Sequence, residues 1–410
     1  MFFFKIVLFS LFLHSSAFAA SLVDHHILPE KVTLDLSKAP MTITVIDPGL
    51  KHTTPQTRRS SVSRIDSENS KLYYHDISVE DLIDENLDFE SLGLWLIKNK
   101  EEKIKQDVFL SKDLKWIYSQ SKRILKSKSD PYLLTKSMID LYGSQHIETN
   151  ADEILSEITS IYPLVILANH EKRFVKKFDK AISIKENFYQ MMNFDSQKRD
   201  IFNKLMILHL AHSDSNLSNF VGYSIHSGQQ VKDYFSAKQL VNIISGGMSA
   251  LAGENHGAAN MKVFEMFKKI DTIAEGSVQN KVSIFLDRVE NKEDLLWGYG
   301  HRIYKKEDPR AQIIKNLNQI YNSDHRYAPI AKEIEKQTAQ RDYFKNRKII
   351  PNIDFYTGML FDYLGFDENE FTLLFSWARV YGSIAHEYEH EAYSKKSHQS
   401  IALIRPPQYP

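Results

Sequence analysis

The chain has 410 residues, 42% hydrophobic and 25% charged, ordinary values for a globular protein with a sizeable core and room for more than one domain. Its 52 basic and 52 acidic residues cancel, which removes any general attraction to nucleic acid or to acidic membranes. Cysteine is absent, so disulfides, thiolate metal sites and cysteine nucleophiles are excluded, while either redox compartment stays open.

In chain order, Lys5 precedes an apolar run from Ile6 to Leu13, followed by the small-residue cleavage pattern Ala17-x-Ala19. This predicts a secretory signal peptide over 1–19 and a periplasmic or secreted protein, with no membrane contact once the leader is removed. The run is too short to span a bilayer. A buried N-terminal helix or a misassigned start would instead leave the chain cytoplasmic.

A small β-segment is expected over about 41–75. Met41-Thr42-Ile43-Thr44-Val45-Ile46 is rich in β-branched residues and stops at Asp47-Pro48-Gly49. Ser61 to Ile65 and Leu72 to Tyr74 flank the turn-like Asp66-Ser67-Glu68-Asn69-Ser70 and predict one hairpin. Beyond Glu80, apolar residues recur at helical spacing over Asp81 to Leu87, Phe89 to Lys98, Asp113 to Ser127, Tyr132 to Leu141 and Ala151 to Ala168. With only 15 glycines and 12 prolines, the fold class is mostly α.

Further along, Leu240, Val241, Ile244, Met248 and Leu251 form one helical pattern, and Val263, Phe264, Phe267 and Ile270 another. The break between them carries His256. A histidine at a helix start meets the positive end of the dipole, which keeps the ring neutral and able to donate one hydrogen bond. Such a donor suits the polarisation of a carbonyl while an enol forms. Two later segments add to it: Gly298-Tyr299-Gly300-His301-Arg302-Ile303-Tyr304-Lys305, closely followed by Asp308-Pro309-Arg310, and Pro351-Asn352-Ile353-Asp354-Phe355-Tyr356.

These three segments, in this order and with similar separations, resemble the signature blocks of the citrate synthase family. Taken singly, each residue has an ordinary reading as a cap, loop or surface group; independent ordinary roles do not explain the joint match. The resemblance implies a large helical domain (20–267 and 372–410) and a smaller helical domain inserted over 268–371, closing on each other. It implies condensation of acetyl-CoA with oxaloacetate to citrate and CoA. Asp354 is then the base, His256 the donor to the thioester oxygen, and His301 the group polarising the keto oxygen. His212, Arg310, Arg379 and Arg405 are then substrate-binding, with Arg405 reaching into the partner's site in a homodimer or higher oligomer. The CoA thioester is a substrate, and no cofactor or metal is implied.

The chain departs from the family at four places. Ser215 stands where the family has the second histidine of His-x-Asp-His. Glu254 replaces a proline, putting a carboxylate beside His256. His75-Asp76 replaces an Arg-Gly pair, and the tail ends soon after Arg405. Three rival functions follow: a 2-methylcitrate synthase using propionyl-CoA, a non-catalytic secreted binding protein, and a secreted zinc metalloprotease built on His386-Glu387-Tyr388-Glu389-His390, which fits H-E-x-x-H. For the last, glycine at 393 and histidine at 396 are missing; Tyr393 and Lys396 stand there, leaving Glu391 or His398 as third ligand.

Overall fold

A computed structural model describes residues 60–397 except 86, 99–106, 175, 214–215, 230, 232–234, 275, 302–303 and 305. The leader, the Met41–Ile46 segment, Ser215, His398 and Arg405 therefore lie outside the described residues.

The expected hairpin is present. β1 (Ser63–Asp66) pairs antiparallel with β2 (Lys71–Tyr74), which pairs with the short β3 (Ile77–Ser78). The link from β2 to β3 bends through His75 (φ 44) and Asp76 (φ 70). Glycine adopts this left-handed backbone at least cost; here the His75 ring ties it down, with Nδ1 to Ser61 O at 2.8 Å and Nε2 to Leu96 O at 3.1 Å.

Sixteen α-helices follow among the described residues. The first five are α1 (Val79–Asp84), α2 (Phe89–Lys98), α3 (Lys112–Leu125), α4 (Pro131–Gln145) and α5 (Ala151–Asn169). Caps account for their starts. Ser78, Ser111, Asp130 and Asn150 each accept a first-turn backbone N–H, and Pro131 sits where no donor is needed. The Ser78 cap starts α1 two residues before the apolar pattern suggests. Pro163 lies inside α5 without ending it.

Next come α6 (Ile184–Met191), α7 (Ser196–His209), α8 (Leu217–Ser227), α9 (Ala237–Leu251), α10 (Ala259–Asp271) and α11 (Val278–Glu290). The last five are α12 (Pro309–Tyr321), α13 (Ala328–Gln340), α14 (Asp342–Asn346), α15 (Ile353–Leu364) and α16 (Phe371–Ser397). None is long and apolar enough to cross a membrane.

The 27-residue α16 organises the core. It packs against α2, α7, α8 and α9. Trp377 sits among Phe89, Phe188 and Phe202, with ring centroids 5.4–5.8 Å apart. Gly382 lets α16 close onto the chain after α7: a Cβ there would lie 2.2 Å from Leu210 O. On the other side, α10 packs on α11, α13 and α15, and α12 packs on α15.

Candidate active site

Three chain segments meet at the expected residues. The first follows α7, where residues 210–213 are held from several sides. The buried Tyr74 hydroxyl shares its one proton between Ile207 O (2.9 Å) and Ala211 O (3.1 Å) and accepts from Ala211 N (3.2 Å). The Ser63 hydroxyl bonds His212 O. His212, at 7% exposure, is thereby fixed at the end of α7.

The second segment joins two of the blocks. Tyr299 bridges to Pro351, Gly300 N donates to Ile350 O (2.7 Å), and Asn352 N donates to Gly298 O (2.8 Å). Gly298 (φ +75) has no room for a side chain, since a Cβ would lie 2.7 Å from Phe355 Cα. This pairing holds His301 beside the start of α15, where Asn352 caps the Asp354 N–H at 3.0 Å.

The third segment is Asp308 and Arg310. Asp308 caps α12 and clamps the guanidinium, with Nε at 3.0 Å and Nη2 at 2.9 Å. Its Oδ2 also accepts from Ile353 N at 3.3 Å, tying Arg310 to the helix that carries Asp354. Asp308 went unnoticed as a site residue in the sequence, although an Asp-Pro pair opening a helix was its signal.

The His212 and His301 rings meet with centroids 5.3 Å apart, and their neighbours act on them electrostatically. Arg310, Arg379, His301 and His256 all act on His212. Arg379 acts on His256 and Asp354, and Arg310 acts on His301 and Asp354. Burial, with help from the arginines, drives His256 and His301 down to about 4 and His212 well below the usual imidazole value. All three rings are neutral at pH 7. Burial also raises Asp354 to about 7, against the pull of Arg310. Its Oδ1 is shielded from solvent and has no hydrogen-bond partner among the described residues.

The two arginines differ. Burial opposes the charge on Arg310, but the Asp308 carboxylate more than offsets it. Arg379 has no carboxylate partner among the described residues; its Nε donates to His209 O at 3.0 Å and its guanidinium lies 4.7 Å from the Phe375 ring centroid. Burial and Arg310 lower it to about 10. A buried cation in that state would gain from an incoming anion.

Backbone donors fix two tautomers. Ser218 N–H, in the first turn of α8, donates to His256 Nε2 at 3.3 Å, and the Ser218 hydroxyl lies 3.1 Å from the same atom. In the neutral ring the proton is therefore on Nδ1. Tyr304 N–H donates to His301 Nδ1 at 3.0 Å, which leaves Nε2–H as donor. The expectation for His256 needs one correction. His256 precedes α10 in a turn, and the helix end meeting its ring is that of α8. Ser218 lies 38 residues upstream, so no local pattern discloses it.

Glu254 carries its charge at the surface. Its side chain is 63% exposed and pairs with Lys262 at 3.1 Å, so it is a surface ion pair.

The H-E-x-x-H residues are committed elsewhere. His386 has Ser60 Oγ 3.0 Å from Nδ1 and Ser63 Oγ 3.3 Å from Nε2. Glu387 holds His226 Nδ1 at 2.7 Å, and His390 packs edge-on to Tyr223 at 4.6 Å. The metal-compatible trio among the described residues is His170, Asp367 and Glu370. There, Glu370 takes His170 Nε2 (2.7 Å), Asn169 Nδ2 (2.9 Å) and the Asp367 N–H (2.9 Å), while Asp367 takes Arg173 (2.9 Å). That closed network is satisfied without an ion.

A helical fold that gathers neutral imidazole donors, a carboxylate whose Oδ1 has no partner among the described residues and two buried guanidinium groups would suit chemistry on anionic carbonyl compounds. Residues 49–407 match the family model described as citrate synthase, C-terminal domain. Citrate synthase of Corynebacterium glutamicum is 29% identical over 378 residues, 84% of this chain and 82% of that protein. The peroxisomal citrate synthase of Dictyostelium discoideum is 27% identical over 387 residues, covering 87% and 76%. Among solved structures, citrate synthase of Thermotoga maritima superposes with a TM-score of 0.64 at 27% identity, covering 86% of this chain and 92% of that one. The Thermoplasma acidophilum enzyme, solved with carboxymethyl coenzyme A and oxaloacetate, shares the fold at a TM-score of 0.65 and 22% identity, with the same coverage. The chain belongs to the citrate synthase family, and it is a divergent, transferase-class enzyme of that family.

Proposed function

We propose that this chain condenses acetyl-CoA with oxaloacetate, releasing citrate and coenzyme A. The observation that carries this reading is a meeting of distant segments: the His212 and His301 rings lie 5.3 Å apart, and Asp308, which clamps Arg310, also binds Ile353 N at 3.3 Å beside Asp354.

Asp354 takes a proton from the acetyl methyl carbon, its raised pKa making it a stronger base than an ordinary carboxylate. Electrons move to the thioester oxygen, where His256 Nδ1–H donates. The enol carbon then bonds to the keto carbon of oxaloacetate, whose oxygen gathers charge opposite His301 Nε2–H and ends as a hydroxyl. Water adds to the thioester carbonyl of the product, and coenzyme A leaves as the thiol. Arg310 and Arg379 take the carboxylates of oxaloacetate, assisted by His212. Arg405 completes the set from the second protomer of a homodimer. Residues 268–371 act as the smaller domain that closes on the rest. The leader directs the chain out of the cytoplasm, which sequencing of the native N-terminus tests.

The function is tested by coenzyme A release from purified protein with oxaloacetate, using acetyl-CoA and propionyl-CoA in parallel. Release with acetyl-CoA that is lost in Asp354→Asn supports the proposal. Faster release with propionyl-CoA transfers it to 2-methylcitrate synthesis. No release with either supports a non-catalytic homologue.

A further inference from the structure

Buried polar atoms that have no hydrogen-bond partner among the described residues and feel the charge of Arg310 include His212 Nε2, Asp354 Oδ1 and the Tyr304 hydroxyl. The first two belong to residues already assigned. Tyr304 has no role in the reaction as derived above.

Its position is well defined. The Tyr304 ring lies 4.6 Å from the His301 ring and 6.0 Å from the His212 ring. The residue is 5% exposed. Its backbone N–H sets the His301 tautomer, so the side chain is anchored at its root. Tyr74 and Glu80 lie within electrostatic range of the phenol, but neither reaches hydrogen-bond distance. A phenol buried with its oxygen unpaired costs free energy that phenylalanine, filling the same space, would avoid. An oxygen that the fold leaves unpaired is available to a ligand.

We infer that the Tyr304 hydroxyl is a further substrate-binding group, donating a hydrogen bond to a carboxylate or keto oxygen of the dicarboxylic keto acid seated between His212, His301 and Arg310. This rests on the function proposed above. Burial holds the phenol well above its usual pKa, so the group stays a neutral donor throughout the working range. The neighbouring guanidinium groups set the partner's sign, since an anionic oxygen is the acceptor that both a donor hydroxyl and a cation favour.

Tyr304→Phe removes the oxygen and keeps the ring. The expected result is an unchanged or higher melting temperature for the free protein. The Kd for oxaloacetate by calorimetry rises about tenfold, and KM for oxaloacetate rises in step while KM for acetyl-CoA holds. Malate, which keeps both carboxylates and lacks the keto group, is the second probe. An equal loss for malate assigns the bond to a carboxylate; a loss confined to oxaloacetate assigns it to the keto oxygen.

Equal oxaloacetate binding by wild type and variant overturns the inference alone. So does a variant that melts several degrees lower or fails to fold, because the hydroxyl then serves the fold. A wild-type chain that binds no oxaloacetate overturns the proposed function and this inference with it.

Discussion

The cleft and the C-terminal half of α16 use the same residue type in opposite states. At the candidate site, His256 and His301 are driven down to about 4, because burial dominates, Arg379 and Arg310 reinforce it, and Asp308 only partly opposes it at His301. At the junction of α8 and α16, His226 is fully buried, yet Glu387 at 2.7 Å and Glu391 at 3.2 Å raise it to about 9. Burial alone opposes charge at both places; the neighbours decide. The His226 cluster is satisfied and serves the fold. The candidate site instead keeps His212 Nε2 and Asp354 Oδ1 without a hydrogen-bond partner among the described residues, as a site awaiting a ligand would.

The largest effect expected from this contrast is at Asp354. Asp354→Asn lowers turnover by about a thousandfold or more, and should leave stability at pH 8 no lower than wild type. The sign follows from its raised pKa. Between pH 3.8 and about 7 the folded carboxyl keeps a proton that the unfolded chain loses. Stability therefore falls as pH rises through that window, and removing the charge relieves the cost. Melting curves at pH 5 and 8 check this.

At the other pole, His226→Ala leaves Glu387 and Glu391 facing each other in the interior. It should cost about 3–5 kcal/mol in denaturant unfolding, with little change in the chemistry per folded molecule. His256→Ala should do the reverse, cutting turnover by about 10²–10³-fold at nearly unchanged stability. The smallest effect is a pH dependence. His226 is raised from 6.5 to about 9, so its contribution is fully present below pH 6.5 and is lost as pH climbs through 9. In His226→Ala that alkaline decline should flatten.

Much of the architecture was legible before any coordinates. The hairpin and the helix at Phe89–Lys98 fall where the residue patterns put them, because turn chemistry and apolar period act locally. The blocks around His256, His301 and Asp354 were legible as segments, and the fold supplied their meeting. What could not be read was support that folding brings from afar. Ser218 reaches His256 across 38 residues, and Tyr74 pins the chain 137 residues later. Tyr304 carries no signal of its own in the sequence, because an oxygen without a partner is a property of the packed interior and leaves no periodic trace. His209, another buried neutral ring beside Arg379, was missed for the same reason.

The most direct test is the pH profile of the rate of coenzyme A release between pH 5.5 and 9, with acetyl-CoA and oxaloacetate both well below saturation, which reports groups of the free protein. The account predicts a rise governed by an apparent pKa near 7, as Asp354 ionises, with the neutral histidines contributing no acid limb of their own in that range. A rate that is flat across the range, or absent at every pH, would contradict it.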